Sequence, residues 1–394
     1  MKTRAAVLTA PHAPFEIVEL DIDDPGPGEV MLRMSAAGLC HSDLHMMDGD
    51  LAVRYPMVGG HEAAGIVEKI GPGVKKVVVG DHVVCSFTPS CGICRYCSTG
   101  RQNLCDAGST ILEGSMPDGT FRLHKDGTDY SAFCMLGAFS EFATVSEYSV
   151  VKVDDWLPLD SAVLVGCGVP TGWGTAVNAG NVRPGDTTVI YGIGGLGTNA
   201  VQGAVHAGAK YVVCVDPVEF KRDTALKFGA THVFSSAEEA HEKVTELTWG
   251  QGADQALVLI GTMDEETITA AFKVIGKGST VVVTGVSNAA NLTVHVSGQE
   301  MVFMEKTIKA LCSVRRTRST TSSGSCDSMM PVSSSSTSSS PPATRSTRST
   351  RVIRTCGTER TSAESSTSHS ERSPRTRQPS GLLRPGGAWL ARTR

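Results

Sequence analysis

The hydrophobic positions divide the chain into two regions with different patterns. Up to about residue 150, short apolar runs are punctuated by Gly and Pro, as in FEIVEL, EVMLRMSAAG, AAGIVEKIG and GDHVVCSF. These runs predict an irregular, β-rich or barrel-like domain. From about residue 175, buried-strand runs alternate with helical stretches, beginning with TTVIYGIGGLGTNAVQGAVHAGAKYVVCVD and continuing through QALVLI and STVVVTGV. This alternation predicts a parallel sheet with crossover helices.

The first turn of the second region is rich in glycine. The spacing G-x-G-x-x-G stands between a predicted strand and a predicted helix, and the turn contains Gly192, Gly194, Gly195 and Gly197. The next strand ends at Asp216, 19 residues after the last of these glycines. Glycines allow a pyrophosphate to approach the helix N-terminus, and the carboxylate can accept from both ribose hydroxyls while repelling a 2′-phosphate. The sequence therefore predicts NAD rather than NADP as the cofactor.

Four cysteines lie close together in the first region. The segment CGICRYCSTGRQNLC has C-x2-C-x2-C-x7-C spacing and contributes Cys91, Cys94, Cys97 and Cys105. Two-residue gaps let successive thiolates converge on one ion, and four soft ligands close a tetrahedral site. The spacing predicts a structural zinc site, with an iron–sulfur cluster as the chemical alternative.

Composition narrows the class of protein. The chain has 394 residues and a formal net charge of -4, and it contains no apolar run of the roughly 18 residues that a membrane span needs. Its first residues lack the continuous apolar segment of a signal peptide. Twelve cysteines without such a segment favour metal or catalytic roles over disulfides. We expect a cytoplasmic protein of at least two domains.

Several motifs together carry a resemblance to a known family. Along the chain, CHSDLH comes first and is followed by GHEAAG, the cysteine quartet, GCG and the glycine-rich turn. In that order they resemble the zinc-dependent medium-chain alcohol dehydrogenases, especially the nitrosodimethylaniline-dependent branch, over about residues 1–309. The resemblance implies an α/β protein with a GroES-like zinc-binding catalytic domain at 1–172 and a Rossmann NAD-binding domain at 173–309.

The resemblance implies a second, catalytic zinc. Its ligands would be Cys40, His61 and Cys167, which leave a fourth position open to water or an alcohol. Asp43 resembles the carboxylate that orients the histidine ligand, and Glu62 resembles the acid behind the metal. A solvated surface acid is the alternative for Glu62. Zinc at an open position lowers the pKa of a bound hydroxyl, so hydride transfer to NAD becomes feasible near neutral pH.

The remaining site residues are also implied by the resemblance. Ser42 would take the substrate proton and pass it through the cofactor ribose to His45. The alternative for His45 is a surface histidine without this role. His41 stands where many members carry an arginine against the cofactor pyrophosphate. Thr171 resembles a nicotinamide contact, and Lys221 resembles a second ribose contact, or else a solvated lysine. Residues 106–140 are expected to form a long insertion at the substrate entrance.

The last 85 residues differ from the rest. From Ala310 onward there are 14 Arg, no Lys and 4 acidic residues, with serine-rich runs such as SSSSTSSSPPATRSTRSTR. Codons for Lys309 to Gly324 can be chosen so that one restored G gives K-GALFGSANPQYDIVR, which resembles the family's C-terminal part. We therefore interpret 310–394 as an out-of-frame tail caused by a one-base deletion, and its composition predicts disorder.

These observations leave function hypotheses of different classes. The first is an NAD-dependent alcohol dehydrogenase acting on a primary alcohol or its aldehyde, whose activity the altered tail would impair. A formaldehyde dehydrogenase acting on a thiol adduct is a close alternative, and a zinc-bearing remnant without activity is another. A nucleic-acid-binding protein with an Arg/Ser tail is a different class, although the body offers no basic motif. The family resemblance implies a homodimer or homotetramer.

Overall fold

The computed structural model describes residues 1–286 and 293–311. Its strands are β1 (Lys2–Leu8), β2 (Glu16–Ile22), β3 (Glu29–Gly38), β4 (Met57–Val58), β5 (Glu62–Ile70), β6 (His82–Cys85), β7 (Leu123–Lys125), β8 (Thr128–Ala132), β9 (Phe142–Ser146), β10 (Val150–Lys152), β11 (Thr187–Tyr191), β12 (Tyr211–Val215), β13 (His232–Phe234), β14 (Ala253–Val258), β15 (Ile275–Val283) and β16 (Thr307–Ala310).

The α-helices are α1 (His41–Met47), α2 (Arg95–Ser98), α3 (Leu159–Ala162), α4 (Gly168–Gly174), α5 (Gly195–His206), α6 (Glu219–Lys227), α7 (Ala237–Leu247), α8 (Glu265–Val274) and α9 (Gly298–Phe303). Short 3₁₀ segments lie at Gln102–Leu104, Asp106–Gly108, Phe133–Met135, Glu147–Ser149 and Val163–Gly166, and a π-helical turn at Thr175–Gly180 extends α4.

The first half of the chain folds into two β structures. Strands β1, β2, β7, β8 and β4 form a closed barrel, and a five-stranded sheet has the order β10-β6-β5-β3-β9. Strand β3 is central in that sheet and is buried along almost its whole length, which explains its nearly continuous apolar sequence. Strand β1 instead alternates exposed and buried residues over its first half, as expected for a strand with one solvated face. The prediction of a β-rich, barrel-like region is confirmed.

The second half forms one parallel sheet. Its order is β13-β12-β11-β14-β15-β16, and every neighbouring pair is parallel. Helices pack on both faces, so two apolar clusters cover the sheet, one of them containing Ile190 and Leu257 and the other Val189 and Val258. The chain reverses its winding direction between β11 and β14, and the crevice at the carboxyl ends of such strands is where open α/β sheets bind ligands. The prediction of a dinucleotide-binding sheet is confirmed.

The segment that we expected to be an insertion is part of the barrel. Residues 123–125 and 128–132 supply β7 and β8, which pair with each other and with β2 and β4. Asp126 and Gly127 join the two strands with φ values of +50° and +76°, the conformation that an Asp-Gly pair favours in hairpins, and the sequence analysis did not use this signal. The interpreted out-of-frame tail lies outside the described residues apart from its first two positions. Over 1–286 and 293–311, no helix is long and apolar enough to span a bilayer.

Candidate metal centres and dinucleotide site

The four spaced cysteines come together in one loop. Their sulfurs all lie within 4.8 Å of one another, with Cys91 Sγ 3.9 Å from Cys97 Sγ and Cys94 Sγ 4.0 Å from Cys105 Sγ. Backbone N–H groups donate to these sulfurs, for example Cys94 N to Cys91 Sγ at 3.4 Å. Backbone donation from Asp106 and Cys97 lowers the pKa of Cys94 to about 6, so a thiolate forms readily there. Four converging sulfurs fit a closed tetrahedral metal site.

A second cluster forms where the β sheet meets helix α4. One ligand atom from each of Cys40, His61, Glu62 and Cys167 lies within 4.8 Å of the others. Cys40 precedes α1, His61 precedes β5, and Cys167 precedes α4. The N-terminal ends of two helices and one strand therefore lie close together. Two sulfurs and an imidazole are a donor set suited to zinc. His61, Glu62 and Cys167 are buried and Cys40 is partly buried, so the cluster is largely shielded from water.

Asp43 connects two members of this cluster. One of its carboxylate oxygens accepts from the Cys40 backbone N–H at 3.1 Å. The other accepts from the Gly60 backbone N–H at 3.1 Å and lies 3.4 Å from His61 Nδ1. The carboxylate therefore fixes both the start of α1 and the ring of His61, leaving the other ring nitrogen to face the cluster. This is the contact that a carboxylate orienting a histidine ligand would make.

Glu62 is buried rather than solvated. Its Oε1 accepts from the Gly168 backbone N–H at 3.1 Å. Burial, together with the neighbouring Cys40 thiolate, raises the pKa of Glu62 to about 8. A Cβ on Gly38 would lie 2.1 Å from a Glu62 carboxylate oxygen, so this glycine makes room for the acid. The surface alternative for Glu62 does not hold in this structure.

The hydroxyl and imidazole of the predicted proton pathway lie on α1. Cys40 Sγ and Ser42 Oγ are 3.7 Å apart. His45 is buried rather than on the surface, and its ring packs edge-on against the ring of His41 with centroids 4.8 Å apart. His45 Nδ1 lies 2.7 Å from Asp50 Oδ2, and Nε2 lies 2.9 Å from the Gly261 carbonyl oxygen. The sequence analysis did not identify Asp50, whose only signal is its place just after the helix that carries His45.

The glycine-rich turn leads from β11 into α5. Gly192 has a φ of +87°, a conformation that a side chain rarely adopts. A Cβ on Gly197 would lie 1.9 Å from the Gly192 carbonyl oxygen, whereas one on Gly195 would meet nothing within 4 Å. Gly194 precedes the first residue of α5 in an extended conformation. The turn is therefore tight on its inner side and open at the helix N-terminus, where a pyrophosphate would bind.

The acid at the end of β12 is held against this turn. Asp216 is buried, and its two carboxylate oxygens accept from the backbone N–H groups of Ile193 at 2.8 Å and Val218 at 2.9 Å. Lys221 Nζ lies 3.9 Å from Asp216 Oδ2. Thr171 donates its backbone N–H to the Cys167 carbonyl, and its buried hydroxyl has no partner among residues 1–286 and 293–311. A buried hydroxyl that lacks such a partner, four residues after Cys167, fits contact with a nicotinamide amide.

Comparisons with known proteins agree with this arrangement. The family described as alcohol dehydrogenase GroES-like domain matches residues 26–155, and the family described as zinc-binding dehydrogenase matches residues 195–324. A Mycobacterium tuberculosis protein that carries the name alcohol dehydrogenase D is 69% identical over 309 residues, which cover 78% of this chain and 84% of that protein. The chain therefore belongs to the zinc-dependent medium-chain alcohol dehydrogenase family and is an oxidoreductase of that class.

A second relative and a solved structure are also similar to this chain. The NDMA-dependent alcohol dehydrogenase of Amycolatopsis methanolica is 66% identical over 309 residues, covering 78% of this chain and 83% of that protein. Among solved structures, benzyl alcohol dehydrogenase from Acinetobacter calcoaceticus is 32% identical with a TM-score of 0.73, covering 80% of this chain and 84% of that one. The resemblance to zinc-dependent alcohol dehydrogenases, and to the NDMA-dependent branch in particular, is confirmed.

Proposed function

We propose that the chain oxidises a primary alcohol to its aldehyde, and reduces the aldehyde in reverse, at the centre formed by Cys40, His61 and Cys167. The observation that carries this proposal is the convergence of two sulfurs and one imidazole, with a buried Thr171 hydroxyl that has no partner among the described residues four positions after Cys167. A zinc ion bound there supplies Lewis-acid polarisation of the alcohol oxygen, and NAD supplies the hydride acceptor. We further propose that the cysteine quartet holds a structural zinc.

The residues of the chain divide the remaining work. Asp43 orients His61, and the buried Glu62 lies behind the three ligands. Ser42, whose hydroxyl lies 3.7 Å from Cys40 Sγ, would take the hydroxyl proton of the alcohol, and His45 would then receive that proton. Asp43, His45 and Glu62 are buried and Ser42 is partly buried, which limits the access of bulk water to these groups.

The cofactor is held by the glycine-rich turn and the acid that follows the second strand. The open N-terminus of α5, around Gly194 and Gly195, takes the pyrophosphate, and His41 lies near enough to Gly261 to border the same crevice. Asp216 and Lys221 bind the adenosine ribose, and Thr171 binds the nicotinamide amide. A negative charge at Asp216 disfavours a 2′-phosphate, so we propose NAD as the cofactor.

The substrate class is tested with a panel of alcohols and two electron acceptors. Purified protein is analysed for zinc and nicotinamide and then assayed with ethanol, benzyl alcohol and S-hydroxymethyl thiol adducts, using either added NAD or 4-nitroso-N,N-dimethylaniline. Turnover of simple alcohols with the nitroso acceptor and bound nicotinamide supports the NDMA-dependent branch. Preference for the thiol adduct supports the formaldehyde dehydrogenase alternative. Absence of zinc from a folded preparation would contradict the proposal.

We also propose that the residues after Lys309 are translated from a shifted frame. The 309-residue match with each of two relatives covers only 83–84% of the relative, and the restored-frame peptide resembles the family's C-terminal part. Separately, we propose that the intact chain is cytoplasmic and forms a homodimer or homotetramer. Sequencing the gene across codons 309–312 and native mass spectrometry of the purified protein test the shift. A subunit of 41.4 kDa would show that the chain exists as written, whereas a confirmed reading frame with no missing base in related strains would refute the shift.

A further inference from the structure

The side chain of His45 is almost completely shielded from water. It is 3% exposed, whereas the carboxylate that touches it, Asp50, is 17% exposed. A proton that reaches the imidazole therefore has no direct way into bulk solvent. The partially exposed carboxylate is the neighbouring group through which such a proton can leave.

The two contacts of the His45 ring show which acceptor each ring nitrogen faces. The Gly261 carbonyl can only accept, so at 2.9 Å it accepts a hydrogen bond from Nε2–H. Asp50 Oδ2 at 2.7 Å accepts from Nδ1–H when the carboxylate is ionised. Both hydrogen bonds form together only when the ring carries both protons, and the Asp50 carboxylate then lies next to the positive charge of the ring.

The backbone fixes this pair. Helix α1 ends at Met47, and Gly49 has a φ of +74°, which turns the chain back toward the helix. The backbone N–H of Asp50 then donates to the carbonyl of His45 at 2.9 Å. The carboxylate is thus tied to the residue whose ring it contacts, so the geometry is built into the local fold and does not depend on a long-range contact.

We propose that Asp50 is the positioning residue of His45 and the outlet for its proton. The inference rests on the proposed relay through His45. In the outward step the ring that carries both protons loses its Nδ1–H bond as an Asp50 Oδ2–H bond forms, and the carboxyl group then gives the proton to water and becomes a carboxylate again. The neutral ring keeps its Nε2–H bond, which donates to the Gly261 carbonyl and places the ring at the crevice of the parallel sheet. Nδ1 is thus the nitrogen that loses and regains this proton.

The first test uses the full chain without added cofactor and does not depend on activity. Two-bond ¹H–¹⁵N spectra report which ring nitrogens of each histidine carry protons, and His45→Gln identifies the signal of His45. We expect Nδ1 to be protonated in the wild type. In Asp50→Ala only the Gly261 carbonyl remains, so the ring should change to the neutral Nε2–H tautomer. Identical His45 signals in the two proteins would overturn the proposal.

The second test separates this inference from the proposed function. Asp50→Asn, which can still accept from Nδ1 but cannot take its proton, should lower kcat about 10- to 100-fold with little change in KM. Formate should restore part of the activity of Asp50→Ala. Asp48→Asn removes the same charge from the same loop and should keep wild-type kcat. Wild-type kcat in Asp50→Asn overturns the role of Asp50 alone, whereas wild-type kcat in His45→Gln refutes the relay itself.

Discussion

The glycine-rich turn offers a matched pair of substitutions that separates steric conflict from every other effect. Gly195→Ala and Gly197→Ala add the same methyl group to the same helix, two residues apart, without changing charge. The added Cβ meets nothing within 4 Å at the first position, but at the second it lies 1.9 Å from the Gly192 carbonyl oxygen. That contact joins two backbone segments, so no side-chain rotation can relieve it.

The expected effects follow from these distances. Overpacking lowers the free energy of unfolding by about 1–3 kcal/mol, and the rigid backbone contact at position 197 places the loss near the upper end. The higher helix propensity of Ala offsets up to about 1 kcal/mol of this loss. A net loss of about 2 kcal/mol lowers Tm by about 4–8 °C in a domain of this size. The Gly195→Ala variant should melt at the wild-type temperature or slightly higher, because it keeps only the helical gain.

Thermal unfolding of both variants, followed by circular dichroism, measures this difference. Thermal stability alone decides the comparison, because a methyl group on Gly195 would itself enter the space that we propose for the pyrophosphate. The steric argument requires Gly197→Ala to be the less stable variant. A Gly197→Ala protein with wild-type Tm, or a lower Tm for Gly195→Ala, would refute the reasoning.

Three further predictions follow from the described contacts. Cys105→Ser should release one zinc per chain and lower Tm, because metal binding contributes to folding free energy, whereas Cys214→Ser should keep the full zinc content measured by plasma mass spectrometry. Asp216→Asn should reduce the preference for NAD over NADP about 10- to 100-fold in a binding titration, because a neutral amide no longer repels a 2′-phosphate. Burial lowers the pKa of His124, but hydrogen bonds to two carboxylates outweigh it and raise this pKa above its ordinary value. The stability from His124 is therefore present below its ordinary pKa and lost as pH rises through the raised one, so the Tm deficit of His124→Gln should be larger at pH 6 than at pH 9.

Local spacing explains why parts of the sites were predictable from sequence. The cysteine quartet lies within fifteen residues and the glycine-rich turn within six, so each is complete in a single printed segment. Their chemistry depends on intervals that the chain itself sets. The same is true of the parallel sheet, because a strand buried on both faces is an apolar run whatever its neighbours are.

Tertiary structure decided the remaining features, because they depend on residues brought together from distant parts of the chain. Asp126 and Gly127 mark the hairpin of β7 and β8 locally, but its place in the barrel depends on pairing with β2 and β4, which are distant in sequence. Burial of Glu62 and His45 also depends on what packs over them. The contact of His45 with Gly261 spans 216 residues, and only the folded chain places that carbonyl at the ring. The sequence by itself determined the classes of metal ligand and cofactor. The fold determined which site side chains are buried, how they are oriented and where the proton of His45 can leave.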